Sequence, residues 1–189
     1  MLTFTELLKN RRAIRDFQEK EVSLDIVKEI LQESCLAPSA SNGKPCQFII
    51  INNRQTLKKL SDESKKNLLL DFAENKSSLN PNYVGMLKNE NFNVFYNAPC
   101  LIYVIGSKSV RSLDVDCALA ASYIMFSAVQ KGLGTCWINL GAYIRDQKLK
   151  AELGIPDDCR IVAPIIIGYP KEIPVASERH APQIIEIVS

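Results

Sequence analysis

The stretch LAPSASNGKPCQFIII, residues 36–51, decides how the rest of the chain is arranged. Pro38 ends a helical pattern, while Ser39, Ser41, Asn42 and Gly43 bring hydroxyls, an amide and a permissive backbone to a structured turn. Pro45 then releases the chain into Phe48–Ile51, a β-branched apolar run expected to be a central strand covered on both faces. A loop held between a helix and a strand presents polar donors to a ligand accurately.

Upstream, Ser23 is placed to cap a helix whose apolar set is Ile26, Val27, Ile30 and Leu31. Thr3 and Glu6 have capping-box spacing, and Phe4, Leu7 and Leu8 form one stripe, so a short first helix is expected. It leads to RRAIRDF at 11–17. Arg11 and Arg15 share a side in helix or strand, because a separation of four nearly satisfies both periods. The pair can therefore grip one anion. Arg12 points elsewhere and reads as a solvated charge.

Downstream, Asn53 starts a charged helix with Leu57 and Leu60 inward. From Ser61 to Asn97 the pattern loosens into Lys, Asn and Ser with scattered aromatics, among them Phe92 and Tyr96. Short helices or a mobile excursion, serving as a lid or wall over a site, are expected there, with disorder as the competing reading. Cys100–Ile105 reads as a second buried strand, and Leu113–Lys131 as a helix apolar almost all round, at the middle of a domain or of a subunit interface. Gly132 stops it. Gly134–Asn139 is a short strand, Ile144–Leu153 a further helix, and Ile161–Gly168 a third buried strand in which Pro164 favours an edge or a bulge. The segment from Pro170 to Ser189 has an apolar end, Ile184, Ile185, Ile187 and Val188, that cannot fold on itself and suits an arm around a partner subunit. With no repeat and no linker, residues 1–189 form one domain of α+β or three-layer αβα type.

Composition limits the function. A chain of 189 residues suits one domain, or half of an interlocked dimer, and its net charge of +2 gives no electrostatic case for nucleic acid. The six cysteines, at 35, 46, 100, 117, 136 and 159, form no Cys-x-x-Cys pair and read as reduced, buried small hydrophobes. Neither Cys46 nor Cys136 has a resolving partner nearby in sequence. His180, the one histidine, rules out a His-based acid–base pair or a multi-histidine metal site. The N-terminus lacks an apolar h-region, and Ala118–Val129 falls short of the roughly 20 residues that span a bilayer, so a cytoplasmic protein without membrane contact is expected. Gly132-Leu-Gly134 begins a dinucleotide fingerprint, but Trp137 stands where the third glycine belongs, which excludes a Rossmann nicotinamide site.

Taken together, RRAIRDF at 11–17, APSASNGKP at 37–45, GLGTCWI at 132–138 and GYP at 168–170 resemble, in order and spacing, the flavin-dependent nitroreductase family. The resemblance implies an αβα homodimer with a mixed or antiparallel central sheet, FMN at the subunit interface and a C-terminal arm crossing to the partner. It implies that Arg11 holds the FMN phosphate, beside Arg12 and Ala13 of the same motif, and that Arg15 lies near the ribityl chain or pyrimidine edge. Pro38, Ser39, Ala40 and Asn42 would meet the flavin of the opposite subunit, with Lys44 close by. Cys136, Trp137, Ile138 and Asn139 would line the isoalloxazine, the Trp137 side chain being core, and Arg179 would be a second phosphate ligand. The implied activity is hydride transfer from NADH or NADPH through FMN to a nitroaromatic or quinone, in ping-pong fashion and with no catalytic side-chain acid or base. Same-fold alternatives are dehalogenation, enone reduction or a non-catalytic FMN-binding dimer. Ala13 stands where serine is common, and Lys44 and Cys46 replace glutamine and tryptophan, which bears on the substrate class.

Overall fold

Capping chemistry sets the helix starts. In the computed structural model, which describes residues 2–74 and 80–188, Thr3 and Glu6 close a reciprocal capping box on helix α1 (Phe4–Asn10), and Ser23 caps α2 (Leu24–Ser34). Asn53 caps α3 (Arg54–Ala73); α4 (Pro81–Lys88), α5 (Leu113–Gln130) and α6 (Gln147–Glu152) follow. Four strands, β1 (Gln47–Ile51), β2 (Cys100–Ser107), β3 (Gly134–Trp137) and β4 (Cys159–Gly168), form one sheet in the order β1-β2-β4-β3, antiparallel throughout.

Strand alternation divides the interior into two cores. Leu101, Tyr103 and Ile105 of β2 enter one with Ile166, covered by Leu57, Leu60 and Leu68 of α3 and by Leu149 of α6. Ile102 and Val104 enter the other with Ile165 and Ile167, covered by Val27 and Ile30 of α2 and by Leu113, Ala121 and Ile124 of α5. Each fully buried aliphatic side chain contributes about 1.5–3 kcal/mol relative to exposure. The result is an α+β fold of three layers with helices on both faces.

Several sequence expectations change. First, β1 is an edge strand and not a central one; Ile49 and Ile51 pack into one core and Phe48 and Ile50 against the other, so both faces are covered, but only Ile51 is fully buried. Second, Pro164 lies in β4, an inner strand, two residues from a bulge opposite Val104 and Ile105. Backbone N–H and C=O of one strand residue point the same way, and the Pro164 carbonyl accepts from Ile138 N–H at 2.8 Å just past the end of β3. The missing donor therefore faces the side where the β3 ladder ends, and β2 loses nothing. Third, the helix begun at Asn53 runs through position 61 to Ala73. Its inner face carries Ser61, Ser64, Lys65, Asn67 and Asp71, which is why the apolar period fades. Lys65 satisfies its charge on the carbonyl of Phe92 at 2.8 Å, and Asn67 donates to that of Tyr143 at 2.8 Å. Part of the expected excursion, residues 75–79, lies outside the described residues. The helix expected at Ile144–Leu153 is shorter, starting after its Asp146 cap.

Candidate functional site

The RRAIRDF segment is extended and lies along the outer edge of β3. Ala13 forms a parallel bridge with Thr135, Ile14 N–H donates to Thr135 C=O at 2.9 Å, and Phe17 bridges to Pro170 beyond β4. Two glycines allow this approach. A Cβ on Gly134 would stand 2.4 Å from Ile14 Cγ1, and one on Gly168 would stand 2.7 Å from Phe17 Cδ1. Ile14 and Phe17 are buried in consequence and anchor the segment that carries Arg11, Arg12 and Arg15.

Extended backbone puts Arg11, Ala13 and Arg15 on one side. Arg15 carries its guanidinium 5.7 Å above the ring of Tyr96, and Tyr96 sits edge-on to Phe92. The positive field of this side reaches β3: burial raises the Cys136 thiol above its ordinary value, and Arg15 and then Arg11 pull it back. Among the described residues neither arginine forms an ion pair. Arg12 faces the other way, as expected, but is not solvated. It is half-buried, donates from one terminal nitrogen to the Arg11 carbonyl at 2.8 Å, and lines a cavity of about 280 Å³ with Ile14, Leu133 and Gly134.

Beyond Cys136, Trp137 is half-buried against the α2–α5 core and Ile138 is buried. Asn139 is exposed and opens a single 3-10 turn, Asn139–Ala142. Tyr103 reaches from β2 to this turn, its hydroxyl donating to the Gly141 carbonyl at 2.9 Å.

The second group of expected residues gathers elsewhere. Ala40–Asn42 form a 3-10 turn in which Ser41 and Asn42 have φ of 50° and 54°, and Lys44 has φ of 46°. Ser39 Oγ accepts from Lys44 N–H at 3.0 Å, and Ala40 N–H donates to Asp116 Oδ1 of α5 at 2.9 Å. Three left-handed non-glycine residues in four make a costly shape, held here by those bonds. Pro38, Ser39, Lys44 and Cys46 border a cavity of about 110 Å³ with Asp116. This loop feeds β1, whereas the arginines flank β3, so the two groups belong to opposite edges of the sheet with β2 and β4 between. Among the described residues no hydrogen bond or ion pair joins them. Arg179 lies in the exposed segment after Lys171, which has no regular secondary structure, and among the described residues no hydrogen bond or ion pair joins it to Arg11.

Asp116, Cys117 and Tyr96 were not foreseen. Asp116 and Cys117 look like ordinary members of an apolar helix, and only the fold brings them to the loop. Tyr96 sits in a stretch without periodicity. A larger cleft of about 500 Å³, lined by Arg54, Asp62, Glu90 and Asn93, contains none of the motif residues. Among the described residues there is no cluster of three or more metal-ligating side chains, and no helix is long and apolar enough to cross a membrane.

Known proteins resemble this chain in sequence and in fold. A provisionally named NADH dehydrogenase/NAD(P)H nitroreductase of Archaeoglobus fulgidus is 27% identical over 175 residues, 88% of this chain and 85% of that protein. A nitroreductase from Bacteroides fragilis, solved with bound FMN, superposes with a TM-score of 0.83 at 22% identity over 100% of both chains. Iodotyrosine deiodinase bound to FMN and 3-iodo-L-tyrosine superposes with a TM-score of 0.77 at 19% identity, covering 96% of this chain and 97% of that one. These two structures share the fold. The model of the nitroreductase family matches residues 8–169, and the chain belongs to that family.

Proposed function

We propose that this chain is an oxidoreductase that works as a homodimer, with FMN held in a seam between two copies. One observation supports it above the rest: the arginine segment beside β3 and the polar loop that feeds β1 lie at opposite edges of one sheet. A second copy can bring the loop of one chain to the arginines of the other. The arm from Pro170 onward, with Ile184, Ile185 and Val188 exposed, then crosses to the partner.

The donor set fits FMN. Arg11 and Arg15 are guanidinium groups without carboxylate partners among the described residues, which suits a phosphate dianion and an electron-rich ring edge. Arg11 would hold the phosphate, with Arg179 from the arm as a second ligand, and Arg15 would stand by the ribityl chain or pyrimidine edge. Pro38, Ser39, Ala40 and Asn42 of the second copy would close the other side, and Cys136–Asn139 would form the wall behind the ring. FMN bound there would take hydride from NADH or NADPH and pass electrons to a small electron-poor acceptor, such as a nitroaromatic or quinone, in a ping-pong cycle. The chain's own work is to position the group, exclude water and place positive charge beside it.

The test is the visible spectrum of the purified protein before and after anaerobic NADH or NADPH, with light scattering for the oligomer. A yellow dimer bleached by the nicotinamide and recoloured by a nitroaromatic is expected. A colourless monomer that takes up no FMN overturns the proposal. The likeness to iodotyrosine deiodinase makes halophenols the natural second panel of acceptors; reoxidation by those alone would favour dehalogenation.

A further inference from the structure

The Leu36–Cys46 loop meets α5 at two consecutive residues. Asp116 accepts the Ala40 N–H, and the sulfurs of Cys46 and Cys117 stand 3.6 Å apart. These two cysteines are 71 positions apart in sequence, so the fold alone makes them a pair. Cys117 is fully buried, whereas Cys46 is half-buried and lines the cavity beside Lys44 and Ser39. A small solute reaches Cys46 first. That asymmetry suits an attacking thiol backed by a resolving one.

We propose that Cys46 and Cys117 are a reversible dithiol–disulfide site, oxidised by small hydroperoxides, whose closure pins the Leu36–Cys46 loop to α5. The Cys46 thiolate attacks one peroxide oxygen; the O–O bond breaks, and the other oxygen leaves as hydroxide or alkoxide and takes up a proton. Cys46 is then a sulfenic acid. The Cys117 sulfur attacks the Cys46 sulfur, the S–O bond breaks, and the hydroxyl departs as water with the Cys117 proton. In sum two thiols lose two electrons and two protons, and the peroxide is reduced to two waters, or to water and an alcohol.

The electrostatics match these roles. The hydrogen bond with Cys117 holds the Cys46 thiol below its ordinary value, outweighing burial and the nearby charge of Asp116. The same pairing, with burial, pushes Cys117 up. Forming the bond requires the sulfurs to close by about 1.5 Å, to the usual separation of about 2.05 Å. Because Asp116 already fastens Ala40, the new link holds the loop to α5 at two points, Ala40 and Cys46.

The test treats the reduced full-length protein with hydrogen peroxide, alkylates the remaining thiols and maps the peptides by mass spectrometry, before and after dithiothreitol. The expected result is a Cys46–Cys117 linked peptide that dithiothreitol reverses, together with slower amide hydrogen exchange across residues 39–46. Cys117→Ser should leave Cys46 as a sulfenic acid trapped by dimedone, and Cys46→Ser should give neither linkage nor adduct at Cys117. Linkage of Cys46 to Cys35 or to a second chain overturns the proposal, as does an unmodified Cys46 or unchanged exchange in the oxidised loop. The wild-type peptide map decides the matter even where a serine variant fails to fold.

Discussion

Gly134 and Gly168 stand directly opposite each other in the β3–β4 ladder, and together they form the trough in which Ile14 and Phe17 lie. A methyl group on Gly134 would meet Ile14 at its branched Cβ, Cγ1 and Cγ2, all within 3.0 Å. These atoms are close to the backbone and cannot swing aside. Gly134→Ala should therefore cost about 1–3 kcal/mol through overpacking. It should also displace the arginine-bearing segment, so thermal unfolding and FMN titration should both show losses.

Arg11 separates binding from stability. It carries no ion pair among the described residues, so Arg11→Gln should leave the melting temperature unchanged. A charge-assisted contact to phosphate contributes about 1.5–3 kcal/mol, so the same variant should weaken FMN binding by about tenfold or more. Arg15→Gln loses its place over Tyr96 and should cost about 0.5–1 kcal/mol in stability as well. Fluorescence titration of apo-protein with FMN measures the first effect. Unchanged affinity in both variants would remove the phosphate role.

Much of this architecture was legible in local chemistry. The caps at Thr3, Ser23 and Asn53 announced their helices, and the apolar Leu113–Lys131 announced another, one face of which is buried in the core while Val115 and Tyr123 stay exposed. Properties set by long-range pairing were hidden. The run Phe48–Ile51 has the composition of an inner strand, yet strand order is decided by which segments meet, and β1 ends at the edge. The inner face of α3 is polar because Lys65 and Asn67 find carbonyls from distant loops, a compensation that no period records. Arg12 reads as solvated until its neighbour's carbonyl is seen beside it.

Glu33 gives a pH test. Its carboxylate accepts from the Ser127 hydroxyl and from Lys131 at 3.0 Å, and Lys131 also bonds Glu29 at 3.1 Å. The Ser127 hydrogen bond first, and Lys131 second, hold Glu33 below its ordinary value of 4.5. A carboxyl group depressed on folding contributes stability that is fully present above its unfolded value and is lost as pH falls through the folded one. Glu33→Gln should therefore lower the melting temperature at pH 7, and the gap to wild type should narrow as pH falls below about 4.5. A gap that stays constant down to pH 3 would mean the charge contributes nothing.

Tyr103 tests the turn behind β3. The residue is fully buried, its hydroxyl has Gly141 as hydrogen-bond acceptor, and the edge of Phe95 leaves no room for a side chain at Gly141. Tyr103→Phe keeps the ring and its packing but deprives a buried carbonyl of its partner, at a cost of about 1–3 kcal/mol. For a chain of this size each kcal/mol shifts the melting temperature by about 2–4 °C. A fall of several degrees is expected, and because the turn directly follows Cys136–Asn139, FMN affinity should drop with it. Arg11→Gln is expected to weaken FMN without moving the melting temperature, so the two variants distinguish loss of a ligand contact from loss of the wall that supports it. A Tyr103→Phe protein that melts like wild type would show that water replaces the hydroxyl and that the turn is held by Phe95 alone.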